Sequence, residues 1–467
     1  MIQLPHKILN FKHCKFNIVS LLIIAAIVRL ILLIVLQPWS ADTVTNTFYQ
    51  DFDSRQYYKL AINIINEKSF ISFVPFRTPG YPVFLSFIFL VFGIRPWLIL
   101  LVHILINLFS IYLIYYITRS IFSVRIALIA SAIFAFEPHT LYYCYILLPE
   151  TLFVFSLIVT LLLVLKVIHS NRWIHYLLLG ISLSIVAYIK PIGIYLPIVI
   201  GFSLLLFYKK HKLIFLRIIG SFFLYILLLT PWYIRNYSIY NEIGFCTIQG
   251  FNLYLYNVCI TEAYKSGKNV SEIKESFRAE YKNYKEKHNN NPFTTSKHYG
   301  NYSRKYLLNN LKYYIPLHIK GMRNILITQN KIEILRYFKI STHPSGKQRK
   351  ADNIPEFSVL PFENIIILTQ RLFAKRPLSE HILGMYILLF SLSVYFGFIY
   401  GIYKMTLLQK HFILLLFLCI IIYFLGIVGI AGHARYKLPV IPFITIISSV
   451  GWNLIFSKRQ PIEDEQF

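Results

Sequence analysis

Apolar runs of roughly 15 to 22 residues, nearly free of charged side chains, recur along most of this chain between short polar loops. Each run is close to the ~20 residues that a helix needs to cross a bilayer. The runs lack the alternation of membrane β-strands, and backbone groups in lipid must be satisfied within the protein. The pattern therefore predicts an all-α fold, a polytopic helical membrane protein with about 10 to 12 transmembrane helices.

Ten spans are predicted. The apolar piece 81–93 is short for a crossing, with an external hairpin as the alternative, and it leaves that count open by one or two. The spans lie near residues 17–37, 96–118, 126–139, 151–168, 173–189, 191–208, 213–230, 381–403, 411–430 and 438–456. Lysine and arginine collect in the short loops on one side, which the positive-inside rule assigns to the cytoplasm. Both termini are therefore expected in the cytoplasm, in a plasma or inner membrane, with the first loop outside.

The chain divides into three predicted parts. Residues 1–255 form a transmembrane module that includes the external loop 38–95, residues 256–380 form a mostly helical external insert, and residues 381–467 form the last transmembrane helices and a short cytoplasmic tail. Helical periodicity and few strand signals support the insert. Its lysine-rich stripe within 269–287 is interpreted as a solvated face and is assigned no role.

The first external loop contains the most unusual stretch of the chain. From Asp53 onward, apolar residues recur at the spacing of one helix face, at Tyr57, Leu60, Ala61, Ile64 and Ile65. The spacing predicts an amphipathic helix on the membrane surface, with Asp53 at the start of its buried stripe. A carboxylate in that position is a candidate for chemistry. The alternative is that Asp53 only caps the helix, because Asp is a favoured N-cap residue.

Ionisable residues collect at the outer ends of the predicted spans. They are Asp51, Asp53, Arg77, Glu137, Glu150, Lys190, Arg235, His433, Arg435 and Lys437. Charged groups at membrane depth are costly and are functional candidates by default. One wide outward-facing cavity with carboxylates and cations is therefore predicted. In the alternative interpretation, Glu150 complements a helix dipole and Arg435 and Lys437 anchor the chain at the membrane interface.

Net charge and cysteine spacing narrow the choice of partners. The net charge is +27, but the basic residues are spread between apolar spans and no nucleic-acid motif is present, so no nucleic-acid partner is expected. Clustered cations near a membrane favour anionic lipid head groups and phosphates. The five cysteines lack ligand spacing, so neither a zinc site nor a disulfide framework is predicted.

The order of five short motifs resembles a known family. DSRQYYKLA after the first span, RTPGYP, LLPETLF, PWYIRNY and ARYKLP before the last span together look like the GT-C glycosyltransferases. The nearest branch contains the bacterial aminoarabinose transferases and the dolichyl-phosphate-mannose protein mannosyltransferases. The resemblance covers the membrane part and does not extend over 256–360.

That resemblance implies a membrane glycosyltransferase that moves a sugar from a polyprenyl-phosphate carrier to a glycan, lipid or protein acceptor outside the cytoplasm. The family's first-loop catalytic aspartate falls on Asp53, with Asp51 as runner-up and Glu150 as a further catalytic candidate. A carboxylate there would take the proton of the attacking hydroxyl as general base.

The leaving phosphate needs cations, and guanidinium groups bind phosphate oxygens in pairs. Arg435 and Arg235 are the first choices for substrate binding, and Arg77, Lys190, His433 and Lys437 are the others. A divalent metal ion is the one cofactor that the resemblance leaves open. Its candidate ligands are Glu150, Glu137 and Asp51.

Two other functions compete with the transferase. A transporter or flippase of lipid-linked sugars also needs a charged cavity, but such proteins commonly show internal repeats and helices broken near the membrane midplane, which this chain lacks. A polymerase or ligase that joins glycans from lipid carriers would share the same surface layout.

Overall fold

The computed structural model describes residues 17–40, 52–170, 172–208, 212–338 and 378–456, and the described chain is helical, without β-strands. In chain order the helices are α1 (Ile18–Leu36), α2 (Phe52–Glu67), α3 (Gly80–Phe92), α4 (Pro96–Ile121), α5 (Val124–Phe136), α6 (Pro138–Tyr143), α7 (Glu150–His169), α8 (Trp173–Ile189), α9 (Leu196–Phe207), α10 (Lys212–Tyr240), α11 (Ile248–Asn252), α12 (Cys259–Ser266), α13 (Val270–Lys287), α14 (Pro292–Asn309), α15 (Leu311–Ile327), α16 (Lys331–Tyr337), α17 (Leu378–Leu407), α18 (His411–Val428) and α19 (Ile441–Phe456). A π-helical segment covers Leu253–Val258, and 3₁₀ turns cover Pro191–Gly193, Gly429–Ala431 and Ala434–Val440.

Six helices of the described chain are long and apolar enough to cross a membrane: α1, α4, α7, α10, α17 and α18. Shorter apolar helices are found at Gly80–Phe92, Val124–Phe136, Trp173–Ile189 and Pro191–Phe207. The predicted all-α, polytopic membrane fold is confirmed. The helix after residue 212 is longer than predicted, because it continues through Pro231 to Tyr240 instead of ending near 230.

The helices of the membrane part pack in two series that share α4. In one, α1 packs on α4, α4 on α5, α5 on α19, and α19 on α17; in the other, α4 packs on α7, α7 on α8, and α8 on α10. The α17–α19 contact depends on small residues. A Cβ atom at Gly401 would lie 1.9 Å from the carbonyl oxygen of Ile447, so only glycine allows these two backbones to approach so closely.

The surface helix α2 forms as the apolar stripe predicts. Tyr57 and Ala61 are buried on its inner face, and the helix packs against α3. Since Asp53 lies in the first turn of α2, the start of the helix fixes where its carboxylate lies.

The insert packs against the end of the membrane part that carries the last 3₁₀ turns. Helix α15 lies on the turn Gly429–Ala431, where a Cβ atom at Gly321 would be 2.2 Å from the carbonyl oxygen of Gly429. His318 Nε2 lies 2.9 Å from the carbonyl oxygen of Gly426. The predicted helical character of the insert is found in α12 to α16, and residues 339–377 lie outside the described chain.

Candidate active site

Five of the charged residues singled out in the sequence meet in one place, named here the ionic cluster. Its members are Asp53 in α2, Arg77 in the loop before α3, Glu150 at the start of α7, Lys190 at the end of α8, and Arg435 in the 3₁₀ turn before α19. They come from five separate segments of the chain. The fold therefore brings residues from separate motifs together in a single site.

Arg435 connects the two carboxylates of the ionic cluster. Its Nη1 lies 2.8 Å from Asp53 Oδ2, and its Nε lies 2.9 Å from Glu150 Oε1. Arg77 Nη2 pairs with the other oxygen of Asp53, and Lys190 Nζ lies 2.9 Å from Glu150 Oε1. Three cations thus face two carboxylates, which leaves one positive charge over. That excess suits a site for a phosphodiester anion.

The two carboxylates differ in their access to solvent. The side chain of Asp53 is 21% exposed, whereas that of Glu150 is 1% exposed. Asp53 is therefore the carboxylate that an incoming molecule can reach. Glu150 lies beneath it, where it holds Lys190 and Arg435 in position.

Neighbouring side chains hold Arg77 in place. Its Nε donates to Gln56 Oε1 at 3.1 Å, and its guanidinium carbon lies 5.3 Å from the centre of the Tyr57 ring and 5.1 Å from that of Phe76. Gln56 and Tyr57 belong to α2, so the same helix positions both Asp53 and its arginine partner.

Burial and the two arginines act in opposite directions on Asp53. Burial alone raises the pKa of the Asp53 carboxyl, but the charges and hydrogen bonds of Arg435 and Arg77 outweigh it and hold the pKa below its ordinary value. The carboxylate is therefore ionised at neutral pH. It is also a weak base for as long as both arginines stay bound.

Lys437, on the same 3₁₀ turn as Arg435, belongs to a second set of buried charged residues. Lys437 Nζ lies 3.4 Å from Glu137 Oε1, and His139 Nδ1 lies 3.0 Å from the same oxygen. Glu137 Oε2 accepts from the Thr140 backbone N–H at 2.6 Å and so caps α6. Glu137 and Lys437 are each other's partners here, and neither joins the ionic cluster.

Arg235 and His433 also lie apart from Asp53. Arg235 donates to the backbone carbonyls of Phe70, Ile71 and Phe73, and its guanidinium carbon lies 4.9 Å from the centre of a Trp232 ring. His433 Nδ1 accepts from the Arg435 backbone N–H at 3.2 Å, and its Nε2 lies 3.7 Å from Glu333 Oε2. Both residues position backbone near the site, and Asp51 lies outside the described residues.

The described residues hold no preformed site for a divalent metal ion, and one candidate ligand, Asp51, lies outside them. They contain no group of three or more His, Cys, Asp or Glu side chains placed to hold one. Divalent cations bind through carboxylate and carbonyl oxygens. Of the proposed ligands, Glu150 is already held by Lys190 and Arg435, and Glu137 by Lys437 and His139.

An apolar cavity of about 580 Å³ lies beside the ionic cluster. It is lined by Phe70, Pro79, Gly80, Val83, Phe84, Leu152, Ile185, Tyr188, Ile189, Pro231, Trp232 and Arg235. Leu152 lies two residues after Glu150, and Ile189 directly precedes Lys190. Its wall is tight at one point, because a Cβ atom at Gly80 would lie 2.6 Å from the Tyr188 carbonyl oxygen. The cavity wall therefore includes residues that are sequence neighbours of Glu150 and Lys190.

Among the described residues, sequence reasoning missed several buried polar groups, of which Arg29 and His139 are two. Arg29, in the middle of α1, is fully buried and donates to Asn107 Oδ1 at 2.6 and 3.0 Å and to the Ala135 carbonyl at 2.9 Å. An arginine inside the first apolar run was the available signal. His139 follows Glu137 by two residues in a Glu-Pro-His sequence, which gave a weaker signal.

Comparison with known proteins supplies a family pattern for part of the chain. Residues 76–234 match the model of the dolichyl-phosphate-mannose-protein mannosyltransferase family. This range contains Arg77, Glu150 and Lys190. No curated protein matches the chain.

The fold is similar to that of solved archaeal structures. The apo oligosaccharyltransferase of Archaeoglobus fulgidus matches with 14% identity and a TM-score of 0.50, covering 95% of this chain and 51% of that one. The same organism's oligosaccharyltransferase AglB, in complex with an inhibitory peptide and a dolichol-phosphate, matches with 16% identity and a TM-score of 0.51, over 94% of this chain and 50% of that one. The chain spans about half the length of these archaeal proteins.

The described fold and the family match agree on a class. The chain has a fold similar to that of the archaeal oligosaccharyltransferases, and residues 76–234 carry the pattern of the mannosyltransferase family model. The predicted resemblance to the GT-C glycosyltransferases is confirmed, and the matched range contains the motifs RTPGYP and LLPETLF.

Proposed function

We propose that this protein is a membrane glycosyltransferase that moves a sugar from a polyprenyl-phosphate donor to an acceptor on the extracytoplasmic side. The observation that carries the proposal is Arg435, which joins a reachable carboxylate, Asp53, to a buried one, Glu150, beside an apolar cavity. Such a site offers a base, phosphate-binding cations and a lipid surface within one space.

The donor is proposed to bind across the two neighbouring surfaces. Its lipid chain would lie in the apolar cavity, and its phosphate would bind Arg435, Arg77 and Lys190. The charge supports this. The three cations of the ionic cluster exceed its two carboxylates by one positive charge, and a sugar–phosphate–lipid diester carries one negative charge. An archaeal protein of the same fold was solved with a dolichol-phosphate, which also supports a lipid-phosphate donor.

Donor binding is proposed to activate the base by an exchange of partners. When the donor phosphate draws the guanidinium groups of Arg435 and Arg77, the Asp53 carboxylate loses the charges that keep its pKa low, and its pKa rises. The carboxylate then becomes a stronger base only after the donor is in place.

In the proposed transfer, each charged residue of the ionic cluster has one role. The acceptor hydroxyl attacks the anomeric carbon, its proton goes to the Asp53 carboxylate, and the bond between that carbon and the phosphate oxygen breaks. The negative charge that grows on the leaving lipid phosphate is stabilised by Arg435, Arg77 and Lys190. Glu150 would keep two of these cations aimed at the phosphate.

The test is transfer of a labelled sugar from polyprenyl-phosphate donors to membrane-fraction acceptors. Asp53→Asn is expected to lower the rate by at least ~100-fold at matched expression, the scale of a lost general base. Glu67→Gln is the matched control, because Glu67 is an exposed carboxylate at the far end of the same helix and is expected to leave the rate unchanged.

Two outcomes would count against the proposal. Absence of transfer in the wild type with every donor would point to the flippase function instead. Equal transfer by wild type and Asp53→Asn would remove Asp53 as the base and leave Asp51 as the residue to test next.

A further inference from the structure

Helix α15 of the insert carries small and apolar residues on two opposite faces. On the first face, Leu317, Gly321 and Ile325 recur every four residues and are buried. Leu317 packs with Ile430, and a Cβ atom at Gly321 would lie 2.2 Å from the Gly429 carbonyl oxygen. This face is therefore covered by the protein, at the 3₁₀ turn that follows α18.

The second face is named here the exposed stripe and consists of Leu311, Ile315 and Ile319. These residues also recur every four positions, so they align along one side of the helix. Ile315 precedes Leu317 by two residues, which turns it about 200° away from the buried face. Ile315 is 49% exposed and Ile319 is 59% exposed within the described chain. A helix face in water is normally polar, so an apolar one indicates a contact with something other than water.

The exposed stripe continues toward the lipid-facing side of α17. Leu326 lies seven residues after Ile319, on the same side of α15, and its carbonyl accepts from the Tyr395 hydroxyl of α17 at 2.6 Å. Leu392 and Ile399 share the Tyr395 face of α17 by the same spacing, and both are exposed. Because α17 is long and apolar enough to cross a membrane, exposed apolar residues on that face contact acyl chains. The same lipid is therefore adjacent to the end of α15.

The charged residues of α15 also suit a lipid surface. The helix contains Lys312, Lys320 and Arg323 and no aspartate or glutamate. Helices that lie in the membrane interface combine an apolar face with Lys and Arg, which are attracted to anionic head groups. Among the described helices, α15 is not one of the six that are long and apolar enough to cross a membrane. Its pattern is therefore that of a helix that lies in the interface without spanning the bilayer.

We propose that α15 lies in the membrane interface, with the exposed stripe against lipid acyl chains and its cations among the phosphate head groups. The insert is then seated on the bilayer through one helix, whose opposite face packs on the protein. This inference goes beyond the proposed function and does not depend on sugar transfer.

The test measures what the exposed stripe contacts in the full-length protein. The variant Ile319→Cys is labelled with the fluorophore NBD and placed in nanodiscs of phosphatidylcholine and phosphatidylglycerol, with or without bromine on the acyl chains. Brominated lipid quenches a fluorophore in the acyl region, whereas iodide quenches one in water. Brominated lipid should quench this label at least about half as much as a label on a spanning helix, since interfacial helices are buried by about 5–10 Å.

Two control variants bracket the result. Leu392→Cys places the label on the lipid-facing side of α17 and should be quenched by brominated lipid and protected from iodide. Lys282→Cys places it on α13, where the lysine side chain is 76% exposed, and should show the reverse. The unsubstituted protein, labelled in parallel, gives the background from the native cysteines. Ile315→Cys is a second position of the exposed stripe, and it carries the test if the Ile319→Cys protein does not fold.

Two results would overturn the inference. Labels on the exposed stripe that iodide quenches and brominated lipid does not would place the stripe in water. Labels protected from both quenchers would show that protein covers the stripe, either residues 339–377 of the same chain or a second copy.

Discussion

The ionic cluster and helix α13 of the insert differ in how far their charged side chains are buried and paired. In the ionic cluster, Glu150 is almost wholly buried and each oppositely charged group is held by a partner within 3 Å. In the insert, Arg278 is exposed and Lys274 lies over an aromatic ring. Buried charges must be paired to be tolerated, whereas exposed charges are solvated by water. The difference separates a closely paired, buried cluster from an exposed basic surface, and variants on each side test it.

The largest effect is expected from Arg435→Ala. This change leaves both carboxylates of the ionic cluster short of a partner and removes a phosphate ligand, so the transfer rate should fall by about 10²–10³-fold or more. Arg323→Ala, an exposed arginine of the insert, is the control and should keep the wild-type rate. Similar losses in both variants, measured as labelled-sugar transfer, would erase the distinction between the two regions.

The next effect is on stability. Lys190→Met breaks a buried ion pair with Glu150 and should lower the free energy of unfolding by about 3–5 kcal/mol. Lys297→Met breaks an exposed pair with Glu242, where the lysine side chain is 62% exposed, and should cost less than about 1 kcal/mol. Chemical unfolding in detergent measures both. The double variant Lys190→Met/Glu150→Gln should recover part of the loss, and no recovery would argue against the pair as the cause.

Acid sensitivity comes third. Because the arginines hold the folded-state pKa of Asp53 below its unfolded value of ~3.9, its ion pairs contribute their full stability above that pH. That contribution is lost as the pH falls through the lower, folded-state pKa. The thermal midpoint of wild type should therefore fall more steeply below pH 4 than that of Asp53→Asn. Parallel curves would show that the carboxylate is not held by the arginines.

The smallest effect is expected in the wall of the apolar cavity. Gly80→Ala places a Cβ atom 2.6 Å from the Tyr188 carbonyl, and relieving that overlap should cost about 1–3 kcal/mol of stability. The Michaelis constant for a polyprenyl donor should also rise. Gly267→Ala is a poor control because Gly267 has a positive φ of 67°, whereas Gly426→Ala meets open space and serves well.

Much of the site could be predicted from the sequence, because the order of the apolar runs and the charges of the loops predict a membrane topology. Hydrophobic run lengths and loop charges assigned Asp53, Arg77, Glu150, Lys190 and Arg435 to one side of the membrane, and the structure brings those five together. The stripe that begins at Asp53 predicted α2 because helical periodicity is a local property.

What the sequence left open depends on contacts between distant segments. Arg235 looked like a phosphate ligand, yet it holds the carbonyls of a loop about 165 positions away in sequence, from Phe70 to Phe73. The stripe at 269–287 looked solvated, and its periodicity alone gave no sign that Lys274 lies over Tyr256. Which helix face meets which partner is decided by packing, and one helix pattern does not contain that information.

Arg29 has a consequence for how the chain is made. An arginine at the centre of a helix that inserts by itself costs about 2.5–3.5 kcal/mol on translocon scales. Its partners, Asn107 and the Ala135 carbonyl, lie 78 and 106 residues further along the chain. Until α4 and α5 have been synthesised, the Arg29 guanidinium lacks these two partners and has only the Ala25 carbonyl of its own helix. Docking of Arg29 would mark the moment when the first part of the membrane module is assembled, and a nascent chain stopped before α4 should remain open to quality-control proteases.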